Sequence, residues 1–164
     1  MSPTNRIIDT LPSDSFQALC LHEATHAVVA LALGLPVEEV CVTGAMRLDE
    51  VTVQLYSLPV ATELPVAGTR IPDEFLETHP RELLAAMAAP SYLPTGVASI
   101  DRYAAAEADS ASAAARARGV DPAEVAQLSA ATVGEHEARI RDFAALLGRR
   151  GVWRPGDGGE SGLA

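Results

Sequence analysis

Polar and apolar positions divide this chain into a few long helical stretches separated by proline and glycine breaks. Asp14 followed by Gln17 has the spacing of a capping box, which predicts a helix start. The helix runs to Gly34, with Pro36 just beyond, as helix C-termini prefer. Its second half, Ala27 to Leu33, is apolar all round and is expected to be buried on most sides. Val37 to Thr43 and Arg47 to Tyr56 are rich in β-branched residues and partly alternate, with a turn predicted at Gly44-Ala45. Ser57 to Pro72 reads as a proline-rich loop that could border a cleft. Pro72-Asp73 opens a short helix to Thr78, and His79-Pro80 opens another over Arg81 to Ala89, interrupted near Pro90 and Pro94. Ser99 is a suitable N-cap for a helix from Ile100 to Arg118, closed by Gly119. The last helix runs from Asp121-Pro122 to Leu147 and Gly148, with Val125, Leu128, Val133, Ile140, Phe143 and Leu147 as its apolar stripe. The pattern predicts a mainly α domain with a small β-sheet, an α+β fold whose central helix packs in a helical bundle. That domain spans residues 14 to 153, between a flexible leader (1 to 13) and a glycine-rich tail (154 to 164) read as disordered.

Composition narrows the setting. The chain has 164 residues, 48% of them apolar, enough to bury the core of one domain. Its net charge is −10 and every basic residue is arginine, which argues against nucleic acid or an anionic membrane as the main partner. The longest uncharged apolar run, Ala27 to Val37, falls short of the about 20 residues that cross a bilayer. The N-terminus is polar and contains proline, unlike a secretory signal, and Cys20 and Cys41 are the only cysteines. A soluble cytoplasmic protein with reduced thiols is expected.

The first helix carries the chemistry. His22-Glu23-Ala24-Thr25-His26 reads HExxH. Four residues advance a helix by about 400°, so both imidazoles lie on one face and can reach one zinc ion. Glu23 lies beside them, placed to take a proton from an activated water. Cys20, two residues before His22, points to another side of the helix. A catalytic zinc needs a third protein ligand. Val29 and Ala32 stand where the extended HExxHxxGxxH pattern needs glycine and histidine, so that pattern is excluded. Glu38, Glu39 and Glu50 sit in or beside predicted strands and read as surface charges. Asp101, in the first turn of a predicted helix, and His79, before Pro80, stand level on spacing alone.

The chain resembles the peptidase domain of the FtsH family of ATP-dependent zinc proteases. The family's helix typically reads HEAGHA followed by small apolar residues, and His22-Glu-Ala-Thr-His-Ala-Val-Val-Ala30 is similar. Thr95-Gly-Val-Ala-Ser-Ile-Asp101 is similar to the segment that bears the family's third ligand, and Glu135 to Val152 to its closing helix. Thr25 departs from the family's glycine, Ile100 from its asparagine, and Met87 to Ser91 from its GGR-type segment. The resemblance implies a zinc endopeptidase with His22, His26 and Asp101 as ligands and Glu23 as general base. No GxxxxGK phosphate-binding pattern occurs, so ATP-independent cleavage of unfolded peptides or flexible segments is expected. Two other functions stay open at this point: a catalytically silent, peptidase-like binding protein, and a zinc amidohydrolase for a small substrate. Relatives assemble into rings largely through their ATPase part, which leaves open whether this chain forms a homo-oligomer.

Overall fold

The computed structural model describes residues 13–42 and 67–157. The expected turn at Gly44-Ala45, the strand Arg47 to Tyr56, Glu50 and most of the proline-rich loop lie outside the described residues. The fold is mainly helical with a small three-stranded antiparallel sheet, the α+β class that the sequence pattern predicts.

Helix α1 (Ser13–Ala32) is the centre of the domain. Every residue from His22 to Ala30 is buried, as its uniformly apolar second half demands. It ends where Gly34 adopts φ +84°, and the Leu35 N–H reaches back to the Ala30 carbonyl at 2.9 Å. Strand β1 (Glu39–Cys41) follows and takes the middle of the sheet, between β2 (Gly68–Arg70) and β3 (Val152–Trp153). Val40 lies opposite both Thr69 and Trp153. Neither outer strand is anticipated by the pattern, since two or three residues are too few for alternation to register.

Helix α2 (Phe75–Thr78) leads into α3 (Pro80–Ala88), which has Pro80 in its first turn and tightens into a 3₁₀ turn (Ala89–Tyr92). Helix α4 (Ala98–Ala117) begins two residues before the expected start. Ser99 therefore lies inside it, and Val97 occupies the cap position with no side-chain hydrogen bond. Helix α5 (Pro122–Arg150) is capped by Asp121, whose Oδ1 accepts from the Ala123 N–H at 3.0 Å. It continues past Leu147 and Gly148 and stops at Gly151, φ +79°.

Two hydrophobic clusters form the described core. One joins α1, the sheet and the C-terminal half of α5 through residues such as Val28, Val40, Ile140 and Phe143. The other joins α3, α4 and the start of α5 through Leu84, Ala111, Ala115 and Val125. Helix α5 serves both clusters and bends at His136 (φ −115°, ψ 16°), two residues after Gly134. Burying each large aliphatic side chain contributes about 1.5–3 kcal/mol, so these clusters hold the helices in place. Beyond Trp153, in the segment that composition assigns to a disordered tail, the Arg154 N–H donates to Asp157 Oδ2 at 2.8 Å. The Arg154 guanidinium reaches Glu39 at 2.7 Å. Among the described residues, no helix is long and apolar enough to cross a membrane.

Candidate metal centre

The HExxH spacing places His22 and His26 one turn apart on α1, with ring centroids 5.0 Å apart. The carboxylate that meets them is Glu107 of α4. Its Oε1 lies 2.9 Å from His22 Nε2, and its Oε2 lies 3.1 Å from His26 Nε2. One ligand atom from each of the three residues falls within 4.8 Å of the others. Two imidazoles and a carboxylate at this separation could hold one divalent cation with bonds of about 2 Å after small side-chain movements.

Burial supports that fit. His22 is 2% exposed, and neither of its ring nitrogens has a hydrogen-bond partner; Nε2 is near Glu107 but out of hydrogen-bond alignment. A buried polar group left unpaired costs about 1–3 kcal/mol, and a cation bound at Nε2 would remove that cost for this one of the two nitrogens. His26 is oriented from behind, because its Nδ1–H donates to the Ala86 carbonyl at 2.8 Å and leaves Nε2 facing Glu107. The Ala86 carbonyl also accepts from the Ala89 N–H, and because residue 90, four further on, is proline, no second backbone donor competes with His26 for it. The same tightening of the chain frees the Ala85 carbonyl, which accepts from Ser129 of α5 at 2.7 Å.

Charge follows the geometry. Burial disfavours the imidazolium of His26, but the facing Glu107 carboxylate outweighs it and raises the His26 pKa to about 9. Burial likewise opposes ionisation of Glu107, and the His26 charge with the imidazole contacts outweighs it, lowering that carboxyl to about 2. Without a cation the pair is therefore ionised on both sides. Cys20 stays out of the centre: desolvation, reinforced by the Glu23 charge, raises its thiol to about 11.

Glu23 is buried beside the histidines, and its Oε1 accepts from the Thr69 hydroxyl of β2 at 2.8 Å. An open cleft of about 650 Å³ is lined by Glu23, His26 and Glu107 together with the apolar Ile71, Leu76, Leu83 and Met87. Thr25 is fully buried, and its hydroxyl donates to the Leu21 carbonyl at 2.7 Å, so it fits within the helix without an unpaired group.

Asp101, implied as third ligand by the resemblance, is not one of the group His22, His26 and Glu107, whose ligand atoms lie together. Its Oδ1 accepts from the Thr95 N–H and hydroxyl at 2.8 and 2.7 Å, and its Oδ2 from the Gly96 N–H at 3.0 Å. Partial burial alone would raise this carboxyl, yet those donors, with a smaller share from the His22 charge, hold it below its usual range. Asp101 thus ties the turn before α4 to the helix's positive end. His79 lies on the surface, its Nδ1 2.9 Å from the Thr78 hydroxyl.

The signal for Glu107 is present in the sequence. Ile100, Ala104, Ala111 and Ala115 form the buried stripe of α4, and Glu107 is the charged residue on that stripe. No protein-family model matches the chain, and no curated protein or solved structure matches it.

Proposed function

We propose that this protein is a zinc-dependent endopeptidase acting on unfolded peptides or flexible segments. The observation that carries the reading is the meeting of the HExxH histidines with Glu107, beside Glu23, at the wall of an open cleft. Two imidazoles and one carboxylate are a donor set suited to zinc, with one position left open. Bound there, the ion would lower the pKa of a water towards about 7 and polarise a carbonyl.

The remaining steps belong to the chain's own groups. Glu23 accepts the proton of the attacking water and returns it to the leaving nitrogen as the C–N bond breaks. The Thr69 hydroxyl holds the carboxylate in place for both transfers. Ile71, Leu76, Leu83 and Met87 offer apolar surface to the substrate's side chains. A cleft of about 650 Å³ has room for several residues of an extended chain. The likeness of the motif helix to the FtsH peptidase supports the same class, here with Glu107 in place of Asp101 as third ligand.

The test is digestion of a peptide library and a denatured protein by zinc-loaded protein, with and without chelator, beside Glu23→Gln. Expected is chelator-sensitive cleavage that Glu23→Gln reduces by about 10²-fold or more while zinc remains stoichiometric. Stoichiometric zinc with no cleavage would overturn the peptidase reading and leave a binding role.

A further inference from the structure

Tyr103 is placed at the centre without a part in the chemistry described so far. It precedes Glu107 by one turn of α4, so its side chain leaves the same face of the helix. Its ring lies 5.8 Å from that of His22, tilted by 48°, and it lines the cleft together with Glu23, His26 and Glu107. The residue is 40% exposed, one of two large hydrophobic residues among those described that are this open to solvent. A phenol packed against a ligand and bordering the substrate's space is suited to donating a hydrogen bond where charge develops.

We infer that Tyr103 is a catalytic residue that donates a hydrogen bond from its hydroxyl to the carbonyl oxygen of the scissile bond as that oxygen becomes negative. The inference rests on the peptidase reading and adds a donor to it. As water oxygen bonds to the carbonyl carbon, the π pair moves onto the carbonyl oxygen and Glu23 takes the water's proton. When the carbonyl re-forms, the C–N bond breaks and the proton passes from Glu23 to nitrogen. Tyr103 keeps its own proton throughout.

Tyr103→Phe retains the ring against His22 and removes only the hydroxyl. Three quantities are measured on zinc-loaded wild type and variant: kcat and KM for a cleaved peptide, zinc affinity, and affinity for a phosphinate isostere of that peptide. Expected is a loss of about 10²-fold in kcat, the usual effect of removing one such donor. Phosphinate affinity should weaken with it, while KM, zinc affinity and peptide binding to a Glu23→Gln background stay unchanged. A purely packing role would move zinc affinity or KM and leave the phosphinate-to-peptide ratio untouched, overturning the inference. Wild type that cleaves, with Tyr103→Phe equally fast, overturns it alone. Wild type that cleaves nothing overturns the peptidase reading and this inference together.

Discussion

At the scale of single residues, the centre divides two carboxylates on one helix between two tasks. Glu107 lies on the buried stripe of α4 and faces the histidines, whereas Asp101 lies off it and binds the Thr95–Gly96 turn. Glu107→Gln should therefore lose stoichiometric zinc, measured by metal analysis after gel filtration. Asp101→Asn should keep its zinc and cost about 1–2 kcal/mol of stability in denaturant unfolding, as loss of a helix-end hydrogen bond does. The opposite pattern would return the third-ligand role to Asp101. Thr69→Val removes the hydroxyl that holds Glu23, so kcat should fall with zinc affinity unchanged. His22, Glu23 and His26 were legible from the sequence because a ligand pair four residues apart needs only local helical geometry. Glu107 shows in the sequence only as a charge on the apolar stripe of α4, with nothing local to tie it to His26 across 81 residues of chain. Likeness to a known motif pointed instead to Asp101, through the Thr95–Asp101 segment.

At the scale of elements, helices longer than two turns were readable because period and caps repeat over many residues. Helices α1, α3, α4 and α5 all occur close to their expected bounds. Strands β2 and β3 were missed because only pairing with β1 makes them strands. Pro90 shows an element boundary serving the site: by withholding an N–H it spares the Ala86 carbonyl, already bonded by the Ala89 N–H, a further donor that would compete with His26. Pro90→Ala supplies a competing donor, and zinc affinity should drop by about 10-fold, within the range for loss of an outer-shell contact. Competition with a chromogenic chelator measures this, and unchanged affinity would remove Pro90 from the account.

At the scale of the whole molecule, the Glu107–His26 pair links protonation to folding. The His26 pKa is raised from 6.5 to about 9, so its contribution is complete below pH 6.5 and is lost as pH rises through about 9. The Glu107 pKa is lowered from 4.5 to about 2, so its contribution is complete above pH 4.5 and is lost as pH falls through about 2. The pair's contribution in chelated protein should accordingly be greatest between pH 4.5 and 6.5. The difference in Tm between wild type and Glu107→Gln, measured across pH, isolates it. Zinc needs neutral imidazole, so binding at neutral pH should displace a proton from His26, read by calorimetry in buffers of different ionisation enthalpy.

The two hydrophobic clusters give the metal centre a mechanical meaning. Helix α1 belongs to one cluster and α4 mainly to the other, with only Ile100 at its start reaching the first, and the direct packing of α1 on α4 is slight beside that of α1 on α5 or α3 on α4. A cation shared by His22, His26 and Glu107 would act as a rivet between two half-bodies, with α3 and the bent α5 as the straps that remain when it is withdrawn. Loss of the ion should loosen that seam before it melts either half. Hydrogen exchange should then quicken first in α4 and leave the centre of α1 protected.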